Sequence, residues 1–257
     1  YGTHPFARSV LGTGASLDGV TSGEAAAFRA AYIRPSNMIL SVSGSAPAAE
    51  LLAAVQAAFA DWADPGGAPT PTAPAPVTLA PVRKEVAVGK PQGVLMLGAV
   101  VEVAPDDRAA LWAAVNILSD RLAADLREKQ GLAYSVGAGL SDLWNDRMLV
   151  VASMGTAAEN MEKAESAIRE HVKRMAAEAV PEEERTRVIA AATGRALQRR
   201  LPSINRAYLA GLREFRGAPG DGDREMLEGM RAASSKDLRA AAKSYLVPDR
   251  WITVVVK

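Results

Sequence analysis

Residues 32–42 come back near the end of the chain, and that recurrence limits the folds open to it. Tyr32, Pro35, Ile39 and Val42 lie over Tyr245, Pro248, Ile252 and Val255 at an offset of 213 positions. The same offset sets Thr21 on Ser234 and Glu24 on Asp237. A hydroxyl followed three residues later by a carboxylate is a capping box, which satisfies two otherwise unpaired helix N–H groups. Each copy therefore predicts a capped helix, a proline stop and a buried strand. Chance recurrence of generic helix–proline–strand grammar is the alternative. If the repeat is real, 82–257 is a complete module, and 1–63 is the tail of a related module whose front half is missing. Such a tail has too little surface to bury alone and should pack on that front half.

The stretch 64–81 separates the two. It holds Pro65, Pro69, Pro71, Pro74, Pro76 and Pro81 with Gly66 and Gly67. Prolines at that density cannot sustain hydrogen-bonded ladders, so the stretch reads as an interdomain linker. Before it, the pattern predicts a loop over 1–14, a helix ending near Tyr32, a strand over 38–43 and a helix over 48–62. Leu51, Leu52, Val55 and Phe59 share one face of the last. After it come strands over 82–88 and 94–103, a helix over 107–130 with a break near Ser119, and a hairpin of 133–140 with 147–154. Thr156 and Glu159 form a further capping box. The helix it opens has a core face of Met161, Ala164, Ile168, Val172 and Met175. Helices over 181–200, 203–215, 223–231 and 235–245 precede a last strand over 251–256. The expected class is α+β: a mixed β-sheet packed with helices, one complete module plus the tail of a second.

Composition removes several functions. With 30 Lys and Arg against 29 Asp and Glu, the formal net charge of +1 gives no bulk reason to bind nucleic acid or an anionic membrane. The absence of cysteine excludes disulfides, thiol catalysis and cysteine-bound zinc. The longest apolar run, 93–103, is too short for a membrane span and contains Glu102. There is no Gly-rich phosphate loop and no Gly-x-Ser-x-Gly motif. Only His4 and His171 exist. Glu170-His171 could end a His-x-x-Glu-His zinc motif, but Ala167 stands at the first histidine's place. Helical phase then sets His171 on the solvent side, beside Val172.

The segment 125–136 carries the chemistry. Arg127 falls on a helix's last turn, Gly131 suits the left-handed stop, and Tyr134 heads a strand. A guanidinium and a phenol held together are good donors to a peptide carbonyl or to the oxyanion formed there during hydrolysis. On spacing alone, the same residues read as an ordinary helix–turn–strand junction with a surface Arg and Tyr.

Leu126-Arg127-Glu128-Lys129, with Gly131-Leu132-Ala133-Tyr134-Ser135-Val136, resembles the second homologous domain of pitrilysin/insulinase-type zinc metallopeptidases. These are the inverzincins that include mitochondrial processing peptidase. Tyr1-Gly2-Thr3-His4-Pro5-Phe6 is similar to the Tyr-Gly-x-His-Pro-Tyr segment late in that family's first domain. Residues 28–44 resemble its Tyr-x-Pro-x-Asn-x-x-Leu-x-Val-x-Gly segment, and Gly155-Thr156 also fits. The resemblance implies paired homologous domains around an enclosed chamber. Zinc would sit in the first domain, outside this chain, where a motif Glu acts as general base on metal-bound water. Arg127 and Tyr134 match the family's substrate-binding pair. Tyr134 would donate near the scissile carbonyl and Arg127 would hold a neighbouring backbone carbonyl. His4 would be part of a structural turn.

The implied role is substrate positioning in a zinc endopeptidase, with no catalytic residue and no metal ligand in this chain. Alone it is expected to be inactive. The implied partners are a peptide or unfolded polypeptide and a homologous zinc-bearing domain or subunit, forming a dimer. Family habit in bacteria favours the periplasm. One departure is that Asn116-Ile117-Leu118 runs straight into Ser119, where the family inserts a glycine-rich stretch. The chain opens at Tyr1 rather than Met, and two readings of the absent zinc motif compete: loss of the zinc half from the sequence, or a partner subunit that never held zinc. A noncatalytic scaffold or peptide-binding subunit of the same family is the rival.

Overall fold

The computed structural model describes residues 7–67, 80–143, 147–217 and 222–257. His4 and most of the proline-rich stretch lie outside these. In chain order the described helices are α1 (Gly14–Asp18), α2 (Ser22–Tyr32), α3 (Ala48–Ala58), α4 (Arg108–Leu122), α5 (Met161–Ala177), α6 (Glu182–Arg199), α7 (Ser203–Phe215), α8 (Gly222–Ala232) and α9 (Ser235–Tyr245). The strands are β1 (Arg83–Val86), β2 (Gln92–Glu102), β3 (Ser135–Asp142), β4 (Arg147–Ala157) and β5 (Ile252–Val256). The chain divides into two units. One is Tyr1–Val77 with Leu197–Gly222, and the other is Thr78–Ala196 with Asp223–Lys257. The α7 segment, which sequence reading placed inside an unbroken 82–257 module, thus groups with the N-terminal residues.

The second unit holds the sheet, in the order β1-β5-β2-β4-β3. β1 and β5 are parallel and the other three pairings are antiparallel, which makes the sheet mixed as expected for an α+β chain. Alternation along β2 and β4 sends Leu95, Leu97, Met148, Val150, Ala152 and Met154 to one face, where each is buried. On that face α4 and α5 pack, and α9 packs against both helices. The predicted α5 stripe of Met161, Ala164, Ile168, Val172 and Met175 is buried throughout, each side chain worth about 2 kcal/mol for the larger residues. On the opposite face Val86, Val94 and Met96 stay exposed.

Two local expectations fail in this unit. α4 runs through Ser119 without a break, and its geometry changes only after Leu122. The Ser119 side chain has another use: its Oγ accepts the Ala138 N–H at 3.1 Å, at the outer edge of the sheet. Thr156 does not cap α5 either. It belongs to β4, paired with Gly93, and its hydroxyl turns to the Leu132 carbonyl. Strand pairing captured the residue before the local capping interaction could.

The first unit has helices without a core. No residue of α1, α2 or α3 is buried, and only Ala207 is buried in α7. α1, which begins where the predicted 1–14 loop ends and was not expected from sequence, is set by Thr13 and Ser16, which cap each other. The predicted strand 38–43 forms no ladder, and Met38, Ile39, Leu40 and Val42 are 46–55% exposed. The reason is that no partner strand lies among the described residues of this unit. The segment lies instead along α7, where Arg206 Nε donates to Ser43 Oγ at 3.2 Å. A Cβ on Gly211 would come within 2.6 Å of Ser41 Oγ.

The repeat is visible in the backbone. α2 and α9 begin and end at residues related by the 213 offset, and so do the 3₁₀ turns Pro35–Asn37 and Pro248–Arg250. Thr21 and Ser234 both form reciprocal capping boxes. The copies differ in what covers them. Trp251, Thr253 and Val255 are buried in the sheet, whereas their counterparts Met38, Leu40 and Val42 are bare.

Candidate substrate-binding site

The site grows from the end of α4. After Leu122 the helix widens into a π-helical stretch, Ala123–Lys129. Gln130 N–H reaches back five residues to the Asp125 carbonyl at 2.9 Å, and Leu132 N–H reaches six to Leu126 at 2.9 Å. Between them Gly131 adopts φ +62°, a left-handed conformation that carries a steric penalty for other residues. Leu126 is fully buried and ties the stretch to the core. Beyond the turn, Thr156 Oγ1 donates to the Leu132 carbonyl at 2.5 Å, and Ser135 begins β3 opposite Gly155. The junction is therefore held from α4, from its own turn and from β4.

Arg127 and Tyr134 sit on either side of that turn, and both are exposed. Tyr134 is 85% exposed, immediately before the edge strand β3. Neither has a hydrogen-bond or ion-pair partner among the described residues. A well-bonded backbone, anchored through Leu126, thus presents two exposed donor side chains. Further along β3 and β4, Gly137, Ala138, Gly139, Ser141, Leu149, Val151 and Ser153 line an open trough of about 350 Å³. The small β3 residues leave room there for an apolar or main-chain ligand.

Behind the junction stands a pair that sequence reading missed. His171 is buried, not on the solvent side, and its Nε2 lies 2.8 Å from Asp125 Oδ2. The hydrogen bond from His171 holds the Asp125 carboxyl below its ordinary range, with Gln130 and the Lys129 charge helping against burial. The Nε2 must then be the protonated nitrogen, because a carboxylate can only accept. Position 171 follows Ala164 by seven and Ile168 by three, and it precedes Met175 by four. That spacing belongs to the buried stripe and was the available signal.

A family profile described as "Peptidase M16 inactive domain" matches residues 19–192. The chain belongs to the peptidase M16 inactive-domain family. A search of curated protein sequences returns no match. Among solved structures, the M16 inactive domain of Pseudomonas fluorescens is similar at TM-score 0.79 and 20% identity, covering 100% of this chain and 62% of that one. A protease from Helicobacter pylori is similar at TM-score 0.81 and 19% identity, covering 96% and 61%. A chain of complex III2 from Candida albicans, with Inz-5 bound, is similar at TM-score 0.78 and 14% identity, covering 97% and 62%. At these identities the likeness is one of fold. This M16 chain spans about three-fifths of the length of these solved relatives.

The donors in this M16 domain do not fit a family-type zinc site. Of the two histidines, His171 is committed to Asp125, and Ala167 stands where a histidine one turn earlier would be needed. Among the described residues no group of three His, Asp or Glu side chains is placed to hold a metal. No described helix is long and apolar enough to cross a membrane.

Proposed function

We propose that this chain is the substrate-positioning half of an M16 zinc endopeptidase. The observation that carries the reading is a hydrogen-bonded helix–strand junction presenting two exposed donors, Arg127 and Tyr134, on a sequence with no His-x-x-Glu-His motif. Tyr134 donates to the substrate near the scissile carbonyl, where negative charge develops, and Arg127 fixes an adjacent backbone carbonyl. The metal, held by a homologous partner, supplies the activated water. The uncovered apolar residues of the first unit support such a partner, because the same elements in the second copy are buried by a sheet.

The test is Arg127→Ala and Tyr134→Phe in the assembly with the zinc-bearing homologue. Loss of one donor should lower peptide turnover about 100-fold or more while the melting temperature stays put. Unchanged turnover in both variants would reject the role. A second reading, a noncatalytic scaffold, is supported by the fold shared with a complex III2 chain. It predicts no chelator-sensitive hydrolysis in any assembly containing this chain.

A further inference from the structure

We infer that His171 is a positioning residue that sets Arg127 by clamping the π-helical turn. The inference rests on the reading of Arg127 as a substrate-binding group. It begins with an oddity of burial. α5 presents Ala164, Ile168, Val172 and Met175 to the core, and on the same stripe it carries an imidazole. The side chain of His171 is only 9% exposed, and its one described bond goes to Asp125. Its Nδ1 is buried with no partner among the described residues. An apolar residue would fill the position without leaving a buried nitrogen unsatisfied. The bond to Asp125 is what the histidine adds.

Three interactions converge on Asp125. Its carbonyl takes the five-residue bond from Gln130 N–H. Its carboxylate takes Gln130 Nε2 at 3.2 Å and His171 Nε2 at 2.8 Å. Fixing this residue from outside the helix fixes the hydrogen-bond register of the whole stretch. π-helical turns are rare and tend to occur at functional sites, since they need outside support against relaxing to α-helical bonding. Such relaxation would shift the following side chains by one residue's rotation, roughly 100°. Arg127 lies two residues past Asp125, so the clamp decides which way its guanidinium faces. No other basic side chain of α5 bonds to Asp125 among the described residues. Arg174, one turn on, is taken by Glu178.

The test compares His171→Ala with His171→Gln, whose amide N–H can stand where Nε2 stood. Hydrogen exchange of the Gln130 and Leu132 amides is read on the full chain. His171→Ala should speed both at least tenfold, and His171→Gln should restore protection. In the zinc-bearing assembly, the turnover lost in His171→Ala should vanish on an Arg127→Ala background. Unchanged exchange, or a loss undiminished on that background, overturns the inference. If exchange responds but Arg127→Ala leaves turnover intact, the clamp stands and the peptidase role of Arg127 falls. Should His171→Ala not fold, Asp125→Ala removes the other end of the bond on a more exposed side chain, with the same expected outcomes.

Discussion

Arg121 and Glu184 meet in a two-point fork, Nε to Oε1 and Nη2 to Oε2, both at 2.7 Å. The pair joins α4 to α6, and its side chains are only 14% and 20% exposed. Removing one partner strands a charge withdrawn from water. Glu184→Ala should therefore destabilise by about 3 kcal/mol in urea unfolding. Arg121→Lys should not be neutral, because an ammonium cannot reproduce the fork. The neighbouring Arg187–Asp120 pair, far more exposed, should contribute much less.

Two glycines separate backbone strain from steric collision. A Cβ on Gly131 would meet nothing within 4 Å, so Gly131→Ala should cost only the left-handed conformation, about 1 kcal/mol. A Cβ on Gly98 would press into the Val150 carbonyl of the neighbouring strand. Gly98→Ala should cost about 2–3 kcal/mol, through forced movement between β2 and β4. Chemical denaturation of both variants gives the comparison.

Tyr245 couples stability to alkaline pH. Its hydroxyl donates to Asp107 Oδ2 at 2.7 Å and accepts the Ala104 N–H at 3.3 Å. Burial raises the phenol's pKa, and the Asp107 bond adds to it. The folded chain therefore keeps this proton where the unfolded chain has lost it. Its stabilisation is complete below about pH 10 and fades as pH rises through the folded value. Tyr245→Phe should flatten that alkaline decline in pH-dependent unfolding curves.

Asp125 acts in the opposite sense. Its lowered pKa, due first to His171, means that its stabilisation is present above the unfolded value of about 3.9. It is lost as pH falls through the folded value. Asp125→Asn should be less stable than the parent at neutral pH, and the gap should close on acidification. Glu24 and Asp237, each lowered by its capping partner, add to the same acid-side slope.

The sequence made local interactions legible and left non-local ones hidden. The Thr21 and Ser234 boxes, the Gly131 stop and the α5 stripe each depend on residues within two helical turns, and each formed where the pattern set it. Thr156 looked like a cap because its partner across the sheet, Gly93, and its acceptor, Leu132, lie far off in sequence. Residues 38–43 carry a strand's composition, but a strand also needs a neighbour, and nothing in the apolar pattern says whether one is present. At the candidate site, Arg127 and Tyr134 were marked by the family resemblance, since their setting around Gly131 alone read as an ordinary helix–turn–strand junction. The π-helical widening was not, and the Asp125–His171 bond beside it joins residues 46 apart in sequence.

β5 sits inside the sheet, yet it is the last of the five described strands in sequence, and among the described residues β1 pairs with no other strand. During synthesis β1 must therefore wait, unpaired, while more than 160 residues pass, from Val86 to Ile252. Meanwhile β2 keeps an open flank until β5 arrives. A ribosome-bound intermediate of this protein would offer two vacant strand edges at once, which makes it a natural client for chaperones that shield nascent chains.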